Sequence, residues 1–312
     1  MTLDPEIAAV IDALNSGFPR VATMTGPDVR AAIVARRQPV DNPEPVAEVS
    51  ERALPGPGGD IPVRIYRPAG RPDAVPLVVF AHGGGFVFCD LDSHDALCRA
   101  MANGVGAVVV AVDYRLAPEH RWPAAADDMY AVTEWAAEHA AELGADAGRL
   151  VVAGDSAGGN LAAVTSVMAR DRGGPRIAAQ LLIYPVIAAD FETESYRTCA
   201  TGYYNTREAM TWYWDQYVPN AADREHPYAS PAHADPAGLP PAVVITAEFD
   251  PPRTEGDAFA HALADAGVPV VHRCYAGAIH GFMTMPNLGL GARAREQTWH
   301  DLRGLLAQTG TP

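Results

Sequence analysis

The sequence contains no lysine, and all 23 of its basic side chains are arginines. A lysine Schiff base is therefore impossible, which excludes pyridoxal phosphate chemistry, and the lysine of a phosphate-binding P-loop is missing as well. The four cysteines are scattered without C-x-x-C spacing, which argues against a zinc site, a disulfide framework and a catalytic thiol. They are Cys89, Cys98, Cys199 and Cys274. We expect reduced structural thiols and no bound metal.

Long apolar runs and a basic start are also missing. No stretch of about 18 or more apolar residues occurs, so the sequence contains no candidate membrane-spanning helix. Residues 1–6 are acidic and do not resemble a secretory signal, so we expect a cytoplasmic protein. A formal charge of −15 disfavours nucleic acid and anionic membranes as partners. With 312 residues, the chain is long enough to bury a large core.

Strand-like and helix-like stretches alternate along most of the chain. Two segments separated by a turn rich in Pro and Gly, 46–54 and 61–66, predict an antiparallel pair. Six further runs predict strands at 76–81, 107–113, 150–155, 180–184, 242–246 and 268–275. Helices are predicted within the first 45 residues and near 93–103, 123–142, 160–170, 254–266 and 292–306. The pattern predicts an α/β fold with a mostly parallel sheet of about eight strands and helices on both faces.

The stretch 190–227 breaks this alternation, since it contains no clear strand and is rich in Tyr and Trp. Its simplest interpretation is a packed helical subdomain. We favour a cap whose rings line a substrate pocket, because the stretch follows a strand end, where ligand sites of α/β sheets lie. The candidate pocket residues are Phe86, Tyr204, Trp212 and Tyr213.

One short motif lies between a strand-like run and a helix-compatible run: Gly154-Asp155-Ser156-Ala157-Gly158. A serine between two glycines on such a turn is typical of the nucleophile elbow of serine hydrolases. Larger side chains at Gly154 and Gly158 would collide with the neighbouring strand and helix. The motif therefore predicts that Ser156 is a nucleophile, with Asp155 pointing away from it.

A second motif, His82-Gly83-Gly84-Gly85, follows another predicted strand. Backbone N–H groups of glycine can approach a ligand closely and point at one spot. We assign the donors of an oxyanion hole to the amides of Gly84, Gly85 and Ala157; the alternative is a flexible turn. His82 is expected to hold the loop rather than to act as a base.

An activated serine also needs a base and an acid that orients this base. In α/β-hydrolases these follow the serine in the order acid, then histidine. Asp250, just beyond the strand 242–246, is the predicted acid, and Glu248 is its rival. His280, in a loop after the last predicted strand, is the predicted base. The other histidines considered for this role are His226, His233, His261 and His272.

In their order along the chain, these motifs resemble the hormone-sensitive lipase family of α/β-hydrolases, and the resemblance covers nearly the whole chain. The segments that carry it are His82 to Gly85, Asp113 to His120, Gly154 to Gly159, Asp250-Pro251 and His280 to Phe282. In the segment from Asp113 to His120, a structural role of Arg115 and Glu119 is expected. The family commonly has Leu-Arg-Asp-Glu after the Asp-Pro pair, whereas this chain has Pro252 to Glu255, which puts the support of the acid loop in question.

The resemblance implies a single α/β-hydrolase domain over residues 1–312, with a cap built from 1–45 and 190–227. It implies a carboxylesterase without a cofactor, which acts on short- to medium-chain acyl esters as small-molecule substrates and often forms a homodimer. An amidase or peptidase with the same triad is the main alternative. A ligand receptor on the same fold is disfavoured because His280 is present, and an interfacial triacylglycerol lipase is disfavoured by the acidic composition.

Overall fold

The computed structural model describes residues 2–37, 42–70 and 74–309. The strands in this part of the chain are β1 (Glu48–Gly56), β2 (Gly59–Arg67), β3 (Val75–Ala81), β4 (Val108–Val112), β5 (Ala145–Asp155), β6 (Ala179–Ile183), β7 (Ala242–Phe249) and β8 (Val270–Ile279). They form an eight-stranded sheet in the order β1-β2-β4-β3-β5-β6-β7-β8. Strand β2 runs antiparallel to β1 and β4, and the other neighbours are parallel. The predicted mostly parallel sheet is confirmed.

Helices connect most of these strands. In the described residues they are α1 (Pro5–Gly17), α2 (Gly26–Val34), α3 (Asp95–Met101), α4 (Ala124–Glu138), α5 (Ala157–Arg172), α6 (Glu194–Thr198), α7 (Arg207–Tyr217), α8 (Arg253–Asp265) and α9 (Gly289–Thr309). Individual residues at the helix ends explain where the helices begin and stop. The Thr206 hydroxyl accepts a hydrogen bond from the Ala209 amide at the start of α7, and Gly173 ends α5 in the left-handed conformation, which glycine adopts readily.

The sheet is buried on both faces, which explains why its central strands are apolar throughout. Every residue of β3 is buried. Leu77 and Val79 pack with the layer that contains α4, α5 and α8, whereas Val78 and Phe80 pack with the layer that contains α3 and α9. Successive side chains of a strand point to opposite faces, so a strand between two helical layers needs apolar residues at every position.

Two strand boundaries differ most from the prediction. Strand β5 begins at Ala145 rather than at 150, because Ala145 pairs with Val75 before a register shift that loops out 147–149. The polar and glycine-containing sequence at this bulge hides the first part of the strand. Strand β8 continues to Ile279, four residues beyond the predicted end at 275, and so leads directly to His280.

Two segments outside the α/β alternation lie at the carboxyl ends of the parallel strands: the N-terminal segment and the stretch 190–227. The stretch 190–227 holds α6, α7 and a 3₁₀ turn at Ala221–Glu225, and the structure assigns no strand to these described residues, as expected. The N-terminal segment contacts it, since Asn15 in α1 donates to the Gly202 carbonyl and accepts from the Tyr204 amide. Of the predicted cap residues 1–45, Met1 and 38–41 lie outside the described residues, as do 71–73 and 310–312 of the predicted domain 1–312.

None of the helices in the described ranges has the length and the apolar character that crossing a membrane requires.

Candidate active site

Ser156 lies at the turn between β5 and α5, in a backbone conformation that residues other than glycine rarely adopt. Its φ and ψ angles are 56° and −117°. The turn brings backbone atoms so close that a Cβ atom on Gly154 would lie 2.2 Å from the Gly158 carbonyl oxygen, and one on Gly158 would lie 1.9 Å from that of Ala81. Both glycines are therefore sterically required, and the strained serine is held in place by the surrounding main chain.

The structure brings together the three side chains that the sequence singled out. His280 follows β8, and its Nε2 atom lies 2.8 Å from the Ser156 Oγ. Its Nδ1 atom lies 2.7 Å from Oδ2 of Asp250, which follows β7. A carboxylate can only accept a hydrogen bond, so Nδ1 carries a proton and donates a hydrogen bond to Asp250. Nε2 is then the lone-pair atom that accepts from the serine hydroxyl, as a general base requires.

Asp250 is nearly inaccessible to solvent, and only 1% of its surface is exposed. Burial raises the pKa of this carboxyl above its ordinary value, while the neighbouring His280 opposes the rise. A buried carboxylate is stabilised most when its partner becomes a cation. The pair is therefore arranged to favour proton transfer to His280 during catalysis.

The loop that carries Asp250 is held by a side chain of the 190–227 stretch. The Ser195 hydroxyl donates to the Pro251 carbonyl over 2.6 Å and accepts from the Thr254 amide over 3.0 Å. In return, the Ser195 amide donates to the Thr254 hydroxyl over 3.2 Å. Thr254 stands where the related family commonly has an aspartate, and these reciprocal hydrogen bonds support the acid loop in this chain.

The glycine loop after β3 is folded so that its amides border the same cavity as Ser156. The Gly84 carbonyl accepts from the amides of Val87 and Phe88, both over 3.0 Å. In the described residues, the amide hydrogens of Gly84, Gly85 and Ala157 meet no protein acceptor. Ala157 is the first residue of α5, where the amides have no acceptor within the helix and the helix dipole is positive.

His82 stays inside the loop and does not reach the serine. Its Nδ1 donates to the Gly83 carbonyl over 2.7 Å, and its ring stacks on Tyr114 with the centroids 4.4 Å apart. The Tyr114 hydroxyl donates to the His82 carbonyl over 2.8 Å. Burial lowers the pKa of His82 to about 4, so the ring is neutral. These contacts give His82 a structural role.

The motif residue Asp155 points toward the glycine loop. Its Oδ1 atom accepts from the Gly83 amide over 2.8 Å and lies 3.1 Å from Nε2 of His94. Burial alone would raise the pKa of Asp155, but the interaction with His94 and the hydrogen bond from the Gly83 amide outweigh it and leave the pKa below its ordinary value. Asp155 is therefore an ionised link between the strand that carries the nucleophile and the glycine loop.

The rival residues have other partners, and none of them borders the cavity. Glu248 accepts from the Gly277 amide over 2.7 Å, so it braces the end of β8. The other histidines lie on peripheral elements: His272 pairs with Asp257, His233 pairs with Glu225, His261 packs against His272, and His226 packs against Trp122. In the segment after β4, Arg115 pairs with Asp128 and Glu119 pairs with Arg30, which gives both a structural role.

The cavity above Ser156 has a volume of about 470 Å³. Its aromatic walls come from the N-terminal segment, the glycine loop and the 190–227 stretch. The Phe18 ring lies 5.0 Å from that of Tyr204 and 6.1 Å from that of Phe88, whose ring lies 5.7 Å from that of Tyr213. Tyr204 and Tyr213 thus line the cavity, as the sequence predicts.

The prediction was wrong for the other two pocket residues, because Phe86 and Trp212 do not line this cavity. The backbone of Phe86 has a φ of 63°, and its ring stacks on Tyr217 with the centroids 3.8 Å apart, inside the core. Trp212 precedes Tyr213 on α7, and adjacent helical residues point about 100° apart. Trp212 therefore packs against the edge of Tyr213 instead of entering the cavity.

Several cavity residues carry no signal in the sequence. They are Asn15, Phe18, Arg20, His94, Asn205, Glu208 and Met285. Each belongs to a segment whose position depends on tertiary packing, and none belongs to a motif with a spacing of its own. His94 lies beyond the His82 motif on the same loop region, and this proximity is the nearest signal that the sequence contains.

Comparisons with known proteins agree with this geometry. A family model described as α/β-hydrolase fold matches residues 78–284. The carboxylic ester hydrolase LipN of Mycobacterium tuberculosis is 41% identical over 307 residues, which cover 94% of this chain and 80% of LipN. The carboxylesterase NlhH of the same species is 42% identical, covering 89% of each chain.

A solved structure is similar along almost its whole length. The crystal structure of a thermostable esterase from Pseudomonas putida superposes with a TM-score of 0.93 at 39% identity, covering 98% of each chain. Together with the family match, this similarity confirms the predicted fold and the resemblance on which it was based. The chain belongs to the α/β-hydrolase fold family, and within it to the hormone-sensitive lipase-like group.

Proposed function

We propose that this protein is a serine carboxylesterase that hydrolyses short- to medium-chain acyl esters through Ser156, His280 and Asp250. The observation that carries the proposal is the continuous hydrogen-bonded chain from Ser156 Oγ through the imidazole to Asp250, with contacts of 2.8 and 2.7 Å. The chain opens into a cavity lined by aromatic rings. The esterases among the similar proteins support the same reaction class.

The first half of the reaction forms an acyl-enzyme. His280 Nε2 takes the hydroxyl proton of Ser156 while Oγ bonds to the ester carbonyl carbon, and the π electrons move onto the carbonyl oxygen. The amides of Gly84, Gly85 and Ala157 donate to this oxyanion. The intermediate then collapses and breaks the bond between carbon and the alkoxy oxygen. The departing alcohol takes the proton from His280.

The second half regenerates the enzyme. Water enters, His280 accepts one of its protons, and the hydroxide oxygen bonds to the acyl carbon. Collapse of this intermediate breaks the bond to Ser156 Oγ, which regains its proton from His280, and the carboxylic acid leaves. Asp250 accepts a hydrogen bond from Nδ1–H throughout and stays ionised, so it keeps the imidazole in one tautomer and stabilises its cationic form.

We also propose that the N-terminal residues up to 45 and the stretch 190–227 together form a cap over this site. The hydrogen bonds between Asn15 and the segment Gly202 to Tyr204 support the cap, and so does the contact between the Phe18 and Tyr204 rings. Rings around a cavity of about 470 Å³ favour compact acyl or alcohol groups over long flexible chains.

A series of p-nitrophenyl esters from acetate to dodecanoate tests the reaction and the chain-length preference together. The wild type should hydrolyse short and medium esters fastest. Ser156→Ala should lose about 10⁶-fold in kcat, judged from comparable triads, and should no longer react covalently with a fluorophosphonate. Equal hydrolysis by both proteins would contradict the proposal, and so would labelling of Ser156→Ala.

The amidase alternative is tested by a matched pair of substrates, a p-nitrophenyl ester and the p-nitroanilide of the same acid. A carboxylesterase cleaves the ester and leaves the anilide nearly untouched, because the amine must be protonated to depart. Comparable kcat/KM values for both would favour the amidase. The cytoplasmic location and the homodimer stay predictions, which fractionation and light scattering can test.

A further inference from the structure

His94 is a buried, polar residue beside the site that neither the motifs nor the proposed mechanism uses. It precedes α3, is only 6% exposed and borders the cavity. Its Nε2 lies 3.1 Å from Oδ1 of Asp155, and its Nδ1 lies 2.9 Å from the hydroxyl of Ser93. Each ring nitrogen thus has a single, identified partner.

The hydrogen bonds of the Ser93 hydroxyl indicate whether Nδ1 of His94 donates or accepts. The Ser93 hydroxyl donates its one proton to the Asp90 carbonyl over 2.6 Å and accepts from the Asp90 amide over 3.0 Å. The hydroxyl group has no second proton to donate, and its oxygen can accept one more hydrogen bond. His94 Nδ1 can make that bond only as a donor. Nε2 lies 3.1 Å from a carboxylate, which can only accept, so a proton on Nε2 is favoured as well.

This hydrogen-bond pattern is satisfied in full when both ring nitrogens of His94 carry a proton, and the ring faces acidic and neutral groups rather than cations. Asp155 is its direct partner, and Asp90 lies on the same loop, where it pairs with Arg37. The ring of His82, 5.6 Å away, is neutral. Asp95, the next residue in the chain, is engaged by Arg99 and Arg64.

The partner of His94 connects the two halves of the catalytic machinery. Asp155 precedes Ser156, and its Oδ1 atom also accepts from the Gly83 amide, directly before Gly84. One carboxylate oxygen thus ties the nucleophile turn to the loop of the proposed oxyanion donors. A charged donor on that oxygen fixes the rotamer of Asp155, and charge-assisted hydrogen bonds are about twice as strong as neutral ones.

We propose that His94, as an imidazolium, is a positioning residue that locks Asp155 and thereby aligns the oxyanion amides with Ser156. This inference rests on the proposed esterase function. His94 does not touch the reacting atoms, so its contribution belongs to the transition state, in which the donor geometry counts, and not to the binding of the ester.

The first test is kinetic and uses His94→Ala, which removes the donor, and His94→Gln, which keeps an uncharged donor. We expect His94→Ala to lower kcat by about 10- to 100-fold with KM within about threefold, less than the ~10²–10³-fold cost of losing an oxyanion donor outright. The affinity for phenylboronic acid, which forms a tetrahedral adduct with the serine, should fall by the same factor. His94→Gln should recover part of both.

His272→Ala is the matched control, because His272 also pairs with an aspartate, Asp257, over 2.9 Å, but away from the cavity. It should keep the wild-type kcat and boronate affinity. If the kcat of His94→Ala equals that of this control, or if only KM changes, the inference is overturned. If instead the wild type hydrolyses no ester while Ser156→Ala behaves identically, the proposed function itself is the part that fails.

The second test does not depend on activity or on the folding of a variant. In ¹⁵N-histidine-labelled wild type at neutral pH, the ring-nitrogen chemical shifts of His94 should be those of an imidazolium, with both nitrogens protonated. The resonances are assigned by their loss from the spectrum of His94→Gln. If that variant does not fold, they are assigned in the wild type by nuclear Overhauser effects between the His94 ring and residues around Asp155. Shifts of a neutral tautomer would overturn the inference.

Discussion

The floor and the roof of the cavity are held in different ways. The floor consists of the turns after β3, β5, β7 and β8, and its groups are positioned by parallel strands of one hydrogen-bonded sheet. The roof consists of Asn15 to Ala22 and Tyr204 to Tyr213, and it is joined by ring contacts and a few hydrogen bonds. The floor therefore fixes the reacting atoms, while the roof shapes the space above them.

This difference predicts that floor variants change kcat and roof variants change KM. Interactions made only in the transition state lower kcat when they are lost, whereas uniform binding contacts raise KM. The same division agrees with the residue types. The strained turn at Ser156 requires glycines on both sides of the serine, whereas the roof consists largely of aromatic side chains that pack against one another.

The largest effect is expected for Asp250→Asn on the floor. The NH2 group of the asparagine amide can donate a hydrogen bond to Nδ1 of His280, which then carries no proton, so the imidazole is held in the wrong tautomer. We expect kcat to fall by about 10⁴-fold, as in comparable triads, with the fold intact. Stopped-flow or steady-state hydrolysis of p-nitrophenyl acetate measures it. Glu248→Gln, on the same strand end, is the control and should stay within about threefold of the wild type.

A loss below about tenfold for Asp250→Asn would contradict the assignment of Asp250 as the acid. If Glu248→Gln showed the larger loss, the two carboxylates would have to exchange roles, despite the contact of Glu248 with the Gly277 amide.

The floor could be predicted from the sequence because each of its reactive residues follows a strand immediately. Apolar runs locate the strand ends, and parallel strands place their carboxyl ends at one edge of the sheet. The elbow glycines and the Asp250-Pro251 pair add local constraints that few other structures require. Even where the predicted end of β8 was four residues short, His280 remained the first candidate beyond the sheet.

The roof could not be predicted in the same way, since its geometry depends on side-chain packing. Aromatic content correctly indicated Tyr204 and Tyr213, but it also suggested Phe86 and Trp212, whose rings pack elsewhere. Phe18 has no local signal, because its contact with Tyr204 spans more than half the length of the chain. Long-range packing of this kind is determined by the fold and not by a short pattern.

Asp113 follows β4, at the same edge of the sheet but outside the floor, and it sharpens the comparison because its carboxyl is half-buried and does not pair with a histidine as Asp250 does. Burial, together with the charges of Asp90 and Asp92, raises the pKa of Asp113 to about 6. Its ordinary value is about 3.9, so the folded state holds a proton that the unfolded state loses between about pH 4 and 6. Stability from this group is present below that window and is lost as the pH rises through it.

Asp113→Asn should therefore stabilise the protein at pH 8 and have no stabilising effect at pH 4. A shift of about two units corresponds to roughly 3 kcal/mol, and partial exposure reduces the expected gain to about 1–2 kcal/mol. Thermal unfolding of both proteins at the two pH values measures the difference. A difference in Tm that is the same at both values would show that ionisation of Asp113 is not its cause.

The smallest effect is expected in the roof, at the contact between α1 and the segment before α7. Asn15→Ala removes two hydrogen bonds, to Gly202 and Tyr204, each worth about 0.5–1.5 kcal/mol net. These bonds hold the roof and do not touch the reacting atoms, so we expect KM for p-nitrophenyl butyrate to rise a few-fold while kcat stays within about twofold. Ser16→Ala, on the same helix, is the control and should leave both constants unchanged. A fall in kcat at constant KM would mean that the roof also positions the reacting atoms, and the division between roof and floor would then be wrong.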